Sequence, residues 1–268
     1  MRELTVSIGG MGAIGWPVAR ALDGGIAGLR LVAVSANNRA GAEAKVATLK
    51  TPVPVGSLAD MAEADVVVEC APAAVFDEVA WPAIEAGRIF LPLSCGAMLS
   101  RMELIDRAAE TGAQIVVPTG ALLGLDAVRG AAQGPVTSIT LSTRKPPGGL
   151  AGAPHVEKNK IDLAAIHEPT CVFQGSAREA AAGFPANINV GAALSLAGIG
   201  ADRTTVEIWA DPTVDRNTHT VTVEAEAARF TMTIENVPSP ENPRTGRLTP
   251  LSVLATLRGL VEPMRVGT

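Results

Sequence analysis

The chain has 268 residues, enough for one large domain or two modest ones with a substantial core. A hydrophobic share of 47% excludes general disorder. A net charge of −5, with no basic run, points away from nucleic acid as a partner.

The first half alternates. "LTVSI" reads as a strand with Leu4, Val6 and Ile8 on one side, and Ala13–Asp23 as a helix. "LRLVAVSA" is a second strand. "DVVVEC", Asp65 to Cys70, is a fully buried strand by its continuous β-branched run. "AVFDEVAWPAIEAG" is a helix stopped by Gly87, and "RIFLPLS" a strand. "LSRMELIDRAAETG" is a helix with Ser100 as N-cap, Glu103 completing a capping box and Gly112 at its end. "AQIVVPTG" is another strand. Strands alternating with helices imply a parallel, doubly wound sheet, a Rossmann domain over 1–122.

After about Leu123 the pattern changes. "LDAVRGAAQG" is a connecting helix, and "VTSITLSTRKPP" a strand stopped by its prolines. "SAREAAAGFP" and "NINVGAALSLAGIG" are helices, the second with Asn187 as a cap. "TTVEIWAD", "NTHTVTVEAE" and "ARFTMTIENV" alternate with period 2 and read as an antiparallel meander. Residues 123–246 therefore form a second α+β domain on a largely antiparallel sheet. A final helix, about 247–263, is expected to pack back on the first domain.

No apolar run reaches the roughly 18 residues of a membrane span, and the strand-like N-terminus lacks a signal-peptide layout, so the expectation is a soluble cytoplasmic protein. Cys70, Cys95 and Cys171 are scattered, with no metal spacing, so we expect no metal site and reduced, mostly buried thiols. Cys95, in "LSCGA", alternatively lines a site.

Gly10-x-Gly12-x-x-Gly15 has the spacing of a dinucleotide fingerprint and stands between a strand and a helix. Its run Gly10, Met11, Gly12, Ala13, Ile14 and Gly15 is expected to carry a pyrophosphate at the helix N-terminus. An acidic residue about twenty positions on would bind the ribose of NAD. Here stand Ser35, Asn37, Asn38 and Arg39 instead. Arg39 reads either as the partner of a 2′-phosphate or as a solvated loop charge. NADP should therefore be accepted as well as NAD, and preferred if Arg39 takes the first role. Ala71 and Pro72, after the buried strand, and the turns "LSCGA" and "PTGALLG" lie where ligands of such sheets bind.

Histidine suits a general base near neutral pH, and there are three. His155 lies in a glycine-proline loop and His167 in a turn; both read as exposed or structural. His219 opens a strand beside Asn217 and Thr218, which are placed to orient it. Arg144 and Lys145, ending a strand, are the best basic partners for a carboxylate, or else a surface pair. Ser94, Thr119 and Asn189 are further candidate donors to substrate. Asp211 is expected to cap a turn.

The stretches "PTGALLGLDAV", "STRKPP", "VFQGSAREAAAGFPANINVGAALSLAGIG", "NTH", "ENVPSPENPRTG" and "LSVLATLRGL", with the N-terminal fingerprint, resemble the L-aspartate dehydrogenase family over Val6 to Leu260. The resemblance implies a Rossmann domain plus an α/β domain, a homodimer, and NAD(P)-dependent oxidation of the dicarboxylate amino acid L-aspartate. The iminoaspartate product would hydrolyse to oxaloacetate and ammonia or feed NAD biosynthesis. It also implies His219 as the active-site histidine and Ala121 and Asn187 as nicotinamide-nucleotide contacts. Gly246 stands where the family commonly has serine, which bears on substrate choice rather than fold. The competing readings are a dihydrodipicolinate-reductase-like enzyme for another amino or imino dicarboxylate, and a non-catalytic NADP sensor.

Overall fold

The computed structural model describes residues 2–186, 188–242 and 245–267. It divides into two compact units, residues 1–120 with 249–265, and residues 121–248 with 266–268.

The first unit runs β1 (Leu4–Gly9), α1 (Gly15–Asp23), β2 (Leu29–Ser35), α2 (Arg39–Val46), β3 (Val55–Gly56), β4 (Val66–Glu69), α3 (Phe76–Glu85), β5 (Ile89–Pro92), α4 (Cys95–Met98), α5 (Glu103–Thr111) and β6 (Gln114–Ile115). Its six strands lie in the order β3-β2-β1-β4-β5-β6, and every pairing is parallel. The order reverses direction at β1/β4, the switch point of a doubly wound sheet, where the crevice for a ligand opens at the carboxyl ends. Val6, Ile8, Val66 and Val68 face a core shared with Val18 and Leu22 of α1.

The second unit runs α6 (Leu125–Ala131), β7 (Val136–Lys145), α7 (Pro154–Lys158), β8 (Thr170–Ser176), α8 (Ala177–Gly183), α9 (Asn189–Ala197), β9 (Thr204–Ala210), β10 (Thr218–Ala225) and β11 (Arg229–Glu235). α10 (Leu248–Val261) then returns to the first unit, where Val253, Leu257 and Val261 join the core of β1, β2 and α1.

Three details differ from the sequence expectations. β9, β10 and β11 do not form a meander: the sheet order is β11-β10-β7-β9-β8, so β7 lies between β10 and β9. β7 pairs antiparallel with β10 and parallel with β9, because the chain leaves β7 and returns through α8 and α9 before β9 is laid down. α5 begins at Glu103 with Met102 at the cap and no side-chain cap bond. Ser100 instead bonds the Ala97 carbonyl and closes α4. The capping box belongs to α8, where Ser176 and Glu179 exchange bonds. Finally, "AQIVVPTG" holds only a two-residue strand.

Candidate functional site

In the first unit the three fingerprint glycines are glycine for three separate reasons. Gly10 has φ +109°, and a Cβ there would lie 2.4 Å from the Cys70 carbonyl oxygen. A Cβ on Gly15 would lie 1.8 Å from the Gly10 carbonyl oxygen, inside any possible contact. Gly12 meets nothing within 4 Å, which leaves its backbone open to an approaching group. α1 starts at Gly15 with no side-chain bond at its cap; Trp16 N–H donates to the Gly12 carbonyl and Pro17 has no N–H, so an anion here would meet the positive helix end and the N–H groups of the turn before Trp16. Turn, packing and anion pole therefore fit a dinucleotide.

The Ser35 carbonyl accepts from Gly10 N–H at 2.7 Å and anchors the turn to β2. Asn37 is exposed, and Asn38 caps α2 through Gly41 N–H. Arg39 is an exposed side chain paired with Glu43 at 2.9 Å. A second cation, absent from the sequence reading, stands closer to the turn: Lys45 Nζ donates to the Met11 carbonyl at 2.9 Å and lies 5.8 Å from the Trp16 ring. A lone lysine on a helix carries no sequence signal for this.

The ends of β4 and β5 hold another group that sequence reasoning passed over. Glu69, read only as part of a buried strand, is fully buried beneath the Ala71–Pro72 turn. Its carboxylate accepts from Leu93 N–H, Ser94 N–H and Ser94 Oγ. Burial outweighs those hydrogen bonds and pushes its pKa up to about 7. The Ser94 hydroxyl is thus engaged inside the first unit, with Glu69 and the Ala71 carbonyl. Cys95 is buried, its thiol pushed up to about 12, so it is no nucleophile. Thr119 is half-buried beyond β6.

In the second unit His219 lies opposite Thr143 on β7 and Ile234 on β11. It is 2% exposed, and its Nδ1 is 3.1 Å from Thr143 Oγ1. Thr143 and Lys145 alternate with Leu141 on one face of β7, so both share the buried face with His219. Burial first, and the Lys145 charge second, push the imidazole pKa down to about 3. The ring is therefore neutral at physiological pH, and burial holds it below the value near 7 expected of a base from histidine's ordinary pKa. Its orienting partner is Thr143, not Asn217 or Thr218. Thr218 falls on the opposite face, and the Asn217 carbonyl accepts from Asn236 N–H.

The same alternation splits the basic pair. Arg144 faces away from His219, bonded to Asp211 at 2.9 Å with its guanidinium 4.9 Å from the Trp209 ring. That places Arg144 outside the constellation around His219. Burial of Asp211 works against its charge, but Thr213 and Arg144 outweigh it and hold the carboxyl below its usual range. Asn189 opens α9 with an exposed side chain, and Asn187 lies outside the described residues. The Ala121 carbonyl accepts from Asn236 Nδ2 at 2.9 Å. Asn236 Oδ1 is buried with no partner among the described residues, and a Cβ on Gly246 would approach it to 2.9 Å. His155 packs between Phe173 and Phe184, each 5.2 Å away, and His167 is exposed. Among the described residues no group of three or more His, Cys, Asp or Glu is placed to hold a metal. No described helix is long and apolar enough to cross a membrane.

Residues 126–260 match the family profile described as "Aspartate dehydrogenase, C-terminal". L-aspartate dehydrogenase 3 of Bordetella bronchiseptica is 50% identical over 268 residues, covering 99% of this chain and 98% of its own. The chain belongs to the L-aspartate dehydrogenase family. The L-aspartate dehydrogenase of Bradyrhizobium diazoefficiens is likewise 50% identical, over 99% of this chain and 95% of its own. Residues 10–118 match "Homoserine dehydrogenase, NAD binding domain". Among solved structures, aspartate dehydrogenase from Thermotoga maritima superposes with a TM-score of 0.76 at 26% identity, over 98% of this chain and 99% of its own. An NAD(H)-bound scyllo-inositol dehydrogenase from Lactobacillus casei, at TM-score 0.53 and 15% identity, shares the fold.

Proposed function

We propose that this family member oxidises L-aspartate to iminoaspartate with NAD(P), or runs the reverse reductive amination. The observation that carries the reading is the buried His219–Thr143 pair with Lys145 on the same face, within a chain that keeps the phosphate-binding turn. The nicotinamide supplies the hydride acceptor or donor; the fingerprint glycines and the start of α1 hold its pyrophosphate. In the tautomer where Nδ1–H donates to Thr143 Oγ1, the lone pair is on Nε2 of His219, which is then the atom to accept a substrate proton. The amine of aspartate must shed a proton before Cα can become an imine carbon, and His219 takes it. A pKa of about 3 suits this only once substrate is bound. Burial, the larger cause, remains; a substrate carboxylate works against it by pairing with Lys145, which cancels the lesser cause, and by its own charge, which favours the imidazolium. Lys145 thus binds substrate and tunes the base together.

The reading takes Ser35, Asn37, Ala71, Pro72, Ala121 and Asn187 as cofactor contacts, and Thr119 and Asn189 as minor donors to substrate. NADP is accepted through Lys45 and Arg39, whose charges lie along α2. It also takes the enzyme as a cytoplasmic homodimer feeding NAD biosynthesis, the dimer and the pathway being what the resemblance to the family implies.

The first test is oxidation of NADPH and of NADH with oxaloacetate and high ammonia. Ammonia-dependent turnover is expected with at least one, and His219→Ala should lower kcat about 100-fold or more while NADH still binds. Ammonia-independent turnover, or an undiminished His219→Ala, would refute it. Turnover only with other imino dicarboxylates would move the substrate and keep the chemistry. Arg39→Ala and Lys45→Ala should each raise KM for NADP more than for NAD; equal effects would remove them as readers of the 2′-phosphate.

A further inference from the structure

We propose that Glu69 is a positioning residue whose protonation state sets the affinity of the first unit for the nucleotide, acting through Ser94 and the Ala71 carbonyl. The proposal rests on the reading of Gly10 to Gly15 as the pyrophosphate site.

Glu69 ends β4, and its carboxylate ties that end to the turn after β5. Oε2 accepts from Leu93 N–H at 3.2 Å and Ser94 N–H at 2.9 Å, and Oε1 lies 3.0 Å from Ser94 Oγ. The same Oγ lies 3.2 Å from the Ala71 carbonyl oxygen. One hydroxyl hydrogen cannot serve both acceptors fully, so the cluster has two hydrogen-bond patterns. With Glu69 ionised, Ser94 donates to the carboxylate, and the Ala71 carbonyl is left with the weaker share. With Glu69 protonated, its own O–H donates to Ser94 Oγ, which turns its hydrogen onto Ala71. In the protonated pattern every member of the trio is bonded, and in the ionised pattern only the Ala71 carbonyl loses its share, so the proton changes the bonding of Ala71 without breaking the turn.

Ala71 is in contact with the phosphate turn. The position of a Gly10 Cβ lies 2.4 Å from the Cys70 carbonyl oxygen and 2.8 Å from Ala71 N, so Gly10 rests directly on the Cys70–Ala71 peptide. The Gly10 N–H is pinned to Ser35, which leaves that peptide as its other wall. A change of charge or bonding at Glu69 is therefore delivered to the backbone that would receive the pyrophosphate.

The other ionisable groups near Glu69 stay out of the way. Cys70, next on the chain, and Cys95, at the start of α4, are held as neutral thiols by burial first and by Glu69 second. Arg101 and Asp77, from the α4–α5 turn and α3, pair with each other. β1 presents Gly9 opposite Glu69, and β5 presents Pro92, neither with a charge. Glu69 itself titrates near neutrality.

The sign follows from charge. With Glu69 ionised, Ser94 turns away from the Ala71 carbonyl, and the uncompensated negative end of that carbonyl, beside the phosphate turn, opposes two phosphates, so the nucleotide should bind more weakly as pH rises. NADH is the right probe, because its phosphates stay ionised across the range and it lacks the titrating 2′-phosphate of NADPH. Its Kd, read by fluorescence titration between pH 6 and 8.5, should rise about fivefold or more in the wild type. Glu69→Gln, whose carboxamide donates to Ser94 as the acid does, should show a flat profile. An infrared titration should show a protonated-carboxyl band that fades through a midpoint of about 7 and is missing in Glu69→Gln. A flat wild-type profile, or an equal rise in Glu69→Gln, would overturn the proposal. If Glu69→Gln does not fold, Ser94→Ala decides with the infrared titration: a shrunken rise supports the relay, and an undiminished rise overturns it. Failure of NADH to bind at any pH would instead overturn the nucleotide reading itself.

Discussion

His219→Gln should make the protein less sensitive to acid. The ring is 2% exposed and held at about 3, against an ordinary value of 6.5. Below pH 6.5 the unfolded chain binds a proton here that the folded chain refuses. Stability contributed by this site is therefore full above 6.5 and is lost as pH falls from 6.5 toward 3. At pH 7 the loss is negligible, and at pH 5 it is on the order of 2 kcal/mol. Glutamine cannot ionise and can still bond Thr143 Oγ1, so it removes the titration without stranding that hydroxyl. The assay is urea unfolding of wild type and variant at pH 7 and pH 5, with the other histidines and carboxylates common to both. The variant should lose about 2 kcal/mol less than the wild type between the two pH values. An identical loss in both would refute the claim that the folded state holds His219 neutral. The site would then be wetter than its burial implies, and the role given to substrate in raising the base would fall with it.

Glu69→Gln should show the opposite slope. Raised from 4.5 to about 7, the folded carboxyl holds a proton that the unfolded chain has lost, and this stabilisation disappears as pH rises through 7. The wild type should lose roughly 2–3 kcal/mol at this site between pH 5 and 8 that the variant keeps, read by the same urea titrations. Gly15→Ala must displace the Gly10 carbonyl, so NADH affinity should fall by about tenfold or more, with about 1–3 kcal/mol of destabilisation by calorimetry. Unchanged affinity would mean that the turn is not the phosphate site. Lys145→Ala and Arg144→Ala should separate: Lys145→Ala raises KM for aspartate in steady-state kinetics, whereas Arg144→Ala lowers stability by leaving the buried Asp211 carboxylate with its Thr213 bonds but no cation. The reverse outcome would exchange their roles.

The sequence made the first unit legible because its chemistry is local. A glycine turn, the strand before it and the helix after it are contiguous, and the doubly wound order follows from alternation. What it hid depends on register between distant strands. Nothing in "TTVEIWAD" or "NTHTVTVEAE" says that β7 will slip between them. Thr143 became the partner of His219 only through that pairing. The division of Arg144 from Lys145 was within reach, since Leu141, Thr143 and Lys145 share one parity along β7 and Arg144 has the other. Glu69 escaped because it passed as one more position of a run read as a fully buried strand, and only the donors from residues 93–94, distant in sequence, reveal how a carboxylate is held there. The misplaced capping box arose because two segments offered serine three residues before glutamate, and local spacing cannot say which serine is already engaged.

The bond between Thr143 and His219 joins residues 76 apart in the chain. Closing a loop of that length costs roughly 4 kcal/mol of chain entropy before any contact is gained. The neighbours that repay it, the ladders of β7 with β9 and β10, are equally distant in sequence. Such long-range pairing belongs to slow folding, so the histidine is oriented only when its whole sheet has closed. Recovery of activity during refolding should thus trail recovery of helical signal, and an incompletely folded chain would carry a loose imidazole rather than a weak base.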